Sequence, residues 1–71
     1  MAVESEQLWI LVKPRGCYVA ELLTFGDAVW VNFRRDGQSV ARVSYSSPED
    51  ALRAALSYRN ALEMAGWSAA A

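Results

Sequence analysis

Three short breaks, each carrying a glycine, cut the first part of the chain into apolar runs: Pro14-Arg15-Gly16, Gly26-Asp27 and Arg35-Asp36-Gly37. The runs they separate are Leu8 to Lys13, Tyr18 to Phe25, Ala28 to Arg34 and Gln38 to Tyr45. All four are rich in β-branched, aromatic and other apolar residues. Runs of this kind, recurring about every eight to ten residues with glycine at each break, predict hairpins joined into an antiparallel meander.

A different pattern follows Tyr45. Ser47 is a natural helix N-cap, Pro48 suits the first helical position, and Asp50 stands where a capping box wants an acid. Glu49 and Asp50 favour the positive end of the helix dipole. Gly66 is a left-handed stop from which Trp67 folds back onto Leu62, as in a Schellman motif. Between these signals Ala51, Leu52, Ala55, Leu56, Tyr58, Leu62 and Ala65 recur at helical spacing. The expected fold class is therefore α+β: a four-stranded antiparallel meander sheet with one C-terminal helix packed on one face. Seventy-one residues suffice for one small domain. We place it at 8–67, with a flexible N-terminal segment 1–7 and a C-terminal tail 68–71.

Turn chemistry sets the expected register. Read as a three-residue loop with glycine left-handed, Arg35-Asp36-Gly37 puts Trp30 opposite Arg42 and Val29 opposite Val43. Gly26-Asp27, a two-residue turn with glycine first, pairs Leu22 with Val31. Pro14-Arg15-Gly16, as another three-residue loop, pairs Val12 with Tyr18. One face then collects Leu8, Ile10, Val12, Tyr18, Ala20, Leu22, Val29, Val31, Phe33, Ala41, Val43 and Tyr45, the expected core. The other collects Trp9, Leu11, Val19, Leu23, Phe25, Trp30 and Val40, with Lys13, Glu21, Asn32, Arg34 and Arg42 among them.

A single helix covers one face of a sheet. The chain is 54% hydrophobic, so the second face should carry apolar surface without cover of its own. Trp9, Leu11, Val19, Leu23, Phe25, Trp30 and Val40 would expose on the order of 400–600 Å² there, the size of a partner-binding patch. Lys13, Asn32, Arg34 and Arg42 on the same face are candidate contacts to nucleic acid or to an acidic partner. On the helix, Arg59 is placed to pair with Glu63, and Glu49 with Arg53.

Composition removes most chemistry. The chain has no histidine, which excludes His-based acid–base catalysis and most zinc sites. Its one cysteine, Cys17, forbids an intrachain disulfide and any CxxC motif and reads as a small hydrophobe. Seven Lys/Arg against eight Asp/Glu give a net charge of −1, which is no general basic footprint. No segment has the length of a membrane span, and the acidic start Met1–Gln7 is unlike a signal peptide. We expect no catalytic residues, no cofactor, no metal and no membrane, in a reducing, cytoplasmic setting.

From Val29 the text reads VWVNFRRDGQSVARVSYSSPEDALRAALSYRNALE. This resembles the AP2/integrase-type DNA-binding domain, where a tryptophan-bearing strand, a hairpin and a third strand lead through "F-x-T-x-E-E-A" into an alanine-rich helix. Tyr45-Ser-Ser-Pro-Glu-Asp-Ala51 stands at that motif. The resemblance implies a sheet docked in the major groove, with Trp30, Arg34 and Arg42 facing DNA. Gly16-Cys-Tyr-Val-Ala-Glu21 and Ser47-Pro-Glu-Asp-Ala-Leu52 are similar to segments of HicB-type antitoxins, which bind and block a toxin. The leading expectation is a non-enzymatic protein-interaction module, a regulator or inhibitor, that binds a second copy or a foreign protein through the open sheet face. Sequence-specific DNA binding by the same face is the alternative.

Overall fold

The computed structural model describes residues 3–69. Strands β1 (Glu4–Lys13), β2 (Gly16–Phe25), β3 (Ala28–Arg35) and β4 (Gln38–Tyr45) precede helix α1 (Pro48–Met64), and a two-residue strand β5 (Ser68–Ala69) closes the chain. The sheet order is β4-β3-β2-β1-β5, with every neighbouring pair antiparallel. The expected α+β meander with one C-terminal helix is thus present, with two additions. β1 begins at Glu4 rather than Leu8, and Ser68–Ala69 pair with Val12 and Leu11 where a tail was expected. The flanking parts of both terminal segments lie outside the described residues.

α1 carries the chain from β4 at one edge of the sheet to β5 at the other. Five strands at about 4.8 Å spacing put those edges roughly 19 Å apart. The helix has 17 residues, which at 1.5 Å each gives about 25 Å and so reaches across. Its ends close much as the sequence predicts, except that the Asp50 carboxylate accepts from Ser46 Oγ and Arg53 instead of completing a capping box. Ser47, in extended conformation, accepts the Asp50 N–H at 3.2 Å through its hydroxyl. At the far end Gly66 has φ +100, and the Trp67 and Gly66 N–H groups donate to the Leu62 and Glu63 carbonyls at 3.0 and 3.1 Å.

The turns correct part of the expected register. Lys13 pairs with Gly16, so Pro14-Arg15 is a two-residue turn and Leu11, not Val12, lies opposite Tyr18. Gly16 belongs to the strand. Its lack of a side chain serves packing, because a Cβ there would stand 2.9 Å from Cη2 of Trp67. One residue of slip turns over a whole strand. Trp9 and Leu11, expected on the open face, are therefore core residues, 8% and 0% exposed. Lys13 likewise turns to the helix side, its Nζ over the Trp67 ring at 5.1 Å. Ile10 and Val12 take the open face. Leu8 is the extra residue of a bulge between Gln7 and Trp9, and still packs at the core margin.

At the β3–β4 turn Asp36 (φ 53) and Gly37 (φ 84) are both left-handed, a two-residue turn rather than three. Asp36 also ties the turn to β2: its carboxylate accepts the Cys17 N–H and its own N–H donates to the Cys17 carbonyl, both at 2.9 Å. The register shift between Phe33 and Arg34 leaves Val40 as an extra residue, so Val29 faces Tyr45 and Trp30 faces Ser44. The bulge restores the alternation, and the face assignments of β3 and most of β4 survive. Leu22 pairs with Val31 across Gly26-Asp27 as expected.

The core joins Trp9, Leu11, Tyr18, Ala20, Val29, Val31 and Phe33 to Ala51, Ala55 and Trp67. Alanine at the helix contact lets the backbone approach closely enough for the Trp9 indole N–H to reach the Ala55 carbonyl at 3.0 Å. The same narrow contact leaves Leu52 and Leu56, expected in the buried stripe, exposed on the helix flank. Val43 on the edge strand is exposed too. Arg59 pairs with Glu63 at 3.5 Å, whereas Arg53 pairs with Asp50 at 3.4 Å rather than with Glu49.

Tyr18 and Tyr58 share a hydrogen bond of 2.6 Å under the helix. Burial, then the bond to Tyr58, pushes the Tyr18 phenol from its ordinary 10 up to about 12. The unfolded chain loses this proton first, so the stabilisation is complete below about pH 10 and vanishes as pH rises to about 12. Stability should fall by on the order of 2–3 kcal/mol across that window. Urea unfolding at about pH 9 and about pH 11.5 measures it. Tyr18→Phe should flatten the dependence, and an equally steep fall in that variant would assign it elsewhere.

Candidate functional site

The sheet face away from α1 is built from the alternate residues of four strands. Across it runs one register row: Gln7 on β1, Glu21 on β2, Asn32 on β3 and Arg42 on β4. This row is a polar belt. On one side of it Leu23 and Trp30 are cross-strand neighbours, and with Val3, Phe25 and Arg42 they line a shallow cleft of about 440 Å³. On the other side Ile10, Val12 and Val19 form a second apolar lobe, all half-buried. Phe25 is 42% and Val40 51% exposed.

The belt is ordered by its own contacts. Asn32 is 1% exposed, the one buried polar residue of the described chain. With its amide oriented to satisfy its neighbours, its nitrogen donates to the Ala41 carbonyl at 3.2 Å and to the Ser39 hydroxyl. Its oxygen accepts from Arg34 Nε at 3.3 Å. Arg34 Nε lies 2.9 Å from Glu21 Oε1, but its N–H is directed at Asn32. The Glu21 contact is electrostatic, and that carboxylate oxygen is buried without a hydrogen-bond donor.

Of the expected partner-binding residues, the structure keeps Val19, Leu23, Phe25 and Trp30 on this face, with Val40 at the bulge of its edge strand. It moves Trp9 and Leu11 into the core. Of the four expected polar contacts, Asn32 is buried, Arg34 is engaged by Glu21, and Lys13 lies on the helix side. Arg42 is exposed with no acidic partner among the described residues. Sequence reasoning missed Ile10, Val12 and Val3. The first two would have followed from a two-residue Pro14-Arg15 turn. Val3 needed β1 to start before the obvious apolar run.

Among the described residues no group of three or more His, Cys, Asp or Glu is placed to hold a metal ion, and no helix is long and apolar enough to cross a membrane. No protein-family model matches the chain, and neither a curated protein nor a solved structure matches it. The fold and face define a small α+β domain.

Proposed function

We propose that the protein is a small non-enzymatic interaction module that binds a second copy of itself through the open sheet face. The observation that carries this reading is the lobe of Leu23, Phe25 and Trp30 on the one face that the helix leaves bare. Aromatic residues in such a position lose the most water on docking and dominate interface energies.

Charge favours a second copy, and extent sets how tightly it is held. Four strands of at least eight residues make a face of roughly 14 by 27 Å between outer strand axes. That flat area of roughly 400 Å² is about half the ~800 Å² per partner of a standard interface, which suits a weak, reversible pair. The belt is complementary to itself: its carboxylate, Glu21, sits on β2 and its exposed cation, Arg42, on β4. A twofold axis along the strands lays β1 and β2 of one copy over β3 and β4 of the other. Each apolar lobe then meets its equivalent, while the Glu21 side of one belt faces the Arg42 side of the other. Two sheets stacked this way need no rearrangement of either backbone.

Sedimentation from about 1 to 500 μM should show a reversible dimer. Phe25→Lys, placed at an exposed position, should weaken it by about thirtyfold or more, roughly 2 kcal/mol, with unchanged circular dichroism. A strict monomer at several hundred micromolar would overturn self-association and leave a foreign protein as the occupant to seek. The alternative, duplex DNA, would draw on Lys13, Asn32, Arg34 and Arg42. Only Arg42 is both exposed on the face and free of an acidic partner among the described residues, which favours protein over DNA. Duplex binding that weakens steeply with salt would reverse that order.

A further inference from the structure

A second feature lies at the turn end of the sheet, apart from the open face and independent of it. Lys13, Pro14, Arg15 and Gly16 of the first turn, Arg35 at the end of β3, and Trp67 beyond the helix line a cleft of about 300 Å³. Three of the seven cations of a chain with net charge −1 meet there. General basicity cannot explain such a concentration.

The cations are only partly neutralised from within. Arg35 has one long, exposed ion pair, 4.0 Å to Asp36, and neither Lys13 nor Arg15 has an acidic partner among the described residues. Lys13 also passes the helix end, where a Cβ on Gly66 would stand 3.9 Å from its Nζ, and its charge complements the negative end of the helix dipole there. Two of the charges are held in place by one ring. Lys13 Nζ stands 5.1 Å, and Arg35 Cζ 5.6 Å, from the Trp67 indole centroid. Trp67 is fixed in turn: it lies edge-on to Tyr18 at 5.5 Å and against Gly16, where no side chain fits. Being almost wholly buried, the indole is a wall rather than a stacking platform.

We infer that this cleft binds a phosphate-bearing small ligand. Its cations repel one another until an anion enters, and two planar guanidinium forks beside an ammonium match phosphate oxygens better than a single carboxylate. The size sits at the lower end for small-molecule sites, which fits one or two phosphate groups.

The test is a titration of the protein with sodium pyrophosphate at low salt, followed by amide and indole N–H resonances. We expect saturable shifts confined to Lys13, Arg15, Gly16, Arg35 and the Trp67 indole. Arg15→Gln, in an exposed turn, should weaken binding by about tenfold or more, and Arg42→Gln should leave it unchanged. No shifts up to about 20 mM pyrophosphate, equal weakening by Arg42→Gln, or tighter binding of citrate than of pyrophosphate would each overturn the assignment.

Discussion

Trp9→Ala should remove a large part of the domain's stability, whereas Trp30→Ala should leave most of it. Trp9 lies with ring centroids 6.2 Å from Tyr18 and from Phe33 and stacks on Tyr58 at 6.5 Å. Its indole also holds α1 through the Ala55 carbonyl. Truncating a buried aromatic costs about 3–5 kcal/mol. A domain of 71 residues has a total stability of roughly 4–10 kcal/mol at typical values per residue. Trp9→Phe keeps most of the ring contacts and loses the hydrogen bond, so it should cost less. Urea unfolding of the three variants ranks them. If Trp9→Ala lost under about 1 kcal/mol, β1 would have to be turned over, with Ile10 and Val12 facing the helix.

Trp67→Ala should produce the second large loss, about 3–4 kcal/mol, and a local effect besides. Trp67 follows the helix stop directly and fills the space above Gly16, so it is the post to which β5 is tied. Without it the pairing of Ser68–Ala69 with Leu11 and Val12 should open, and their amides should exchange rapidly with solvent. Gly16→Ala is the companion variant. Alone it forces a Cβ to within 2.9 Å of the indole and should cost about 1–3 kcal/mol. Combined with Trp67→Ala it should cost far less than the sum, because the clash has gone. Simple additivity would mean that the two residues do not meet.

The architecture was legible because its signals are local. Glycine-bearing breaks, the Ser47-Pro48 cap and the Gly66 stop each act over a few residues, and each is realised in the structure. The candidate face was legible only by halves, for a reason that Gly16 and Gly37 illustrate. Both are glycines closing a turn. Gly37 is there for its left-handed backbone, while Gly16 is there because Trp67, some fifty positions later in sequence, occupies the space a side chain would need. No local rule separates the two. Misreading Gly16 exchanged Trp9 and Leu11 for Ile10 and Val12. The misread β3–β4 turn did no such harm, because the extra residue at Val40 returned the strand to the expected alternation. The buried Asn32 and its ties to Ser39, Ala41 and Arg34 were equally beyond local reading, since they join residues across two strands.

The two extra residues also bear on how copies of this chain meet. Leu8 interrupts β1 and Val40 interrupts β4, the two outer strands of the meander. Each interruption bends its strand and spoils the straight row of backbone donors and acceptors that a neighbouring chain would need to add itself edgewise. β5 caps part of the β1 edge, and the remainder carries exposed Glu4 and Glu6. Among the described residues, lateral growth therefore has no good template at either margin. Under the proposed self-association, the bare face would be used up in one event, and the assembly would end at a pair instead of lengthening into a fibre.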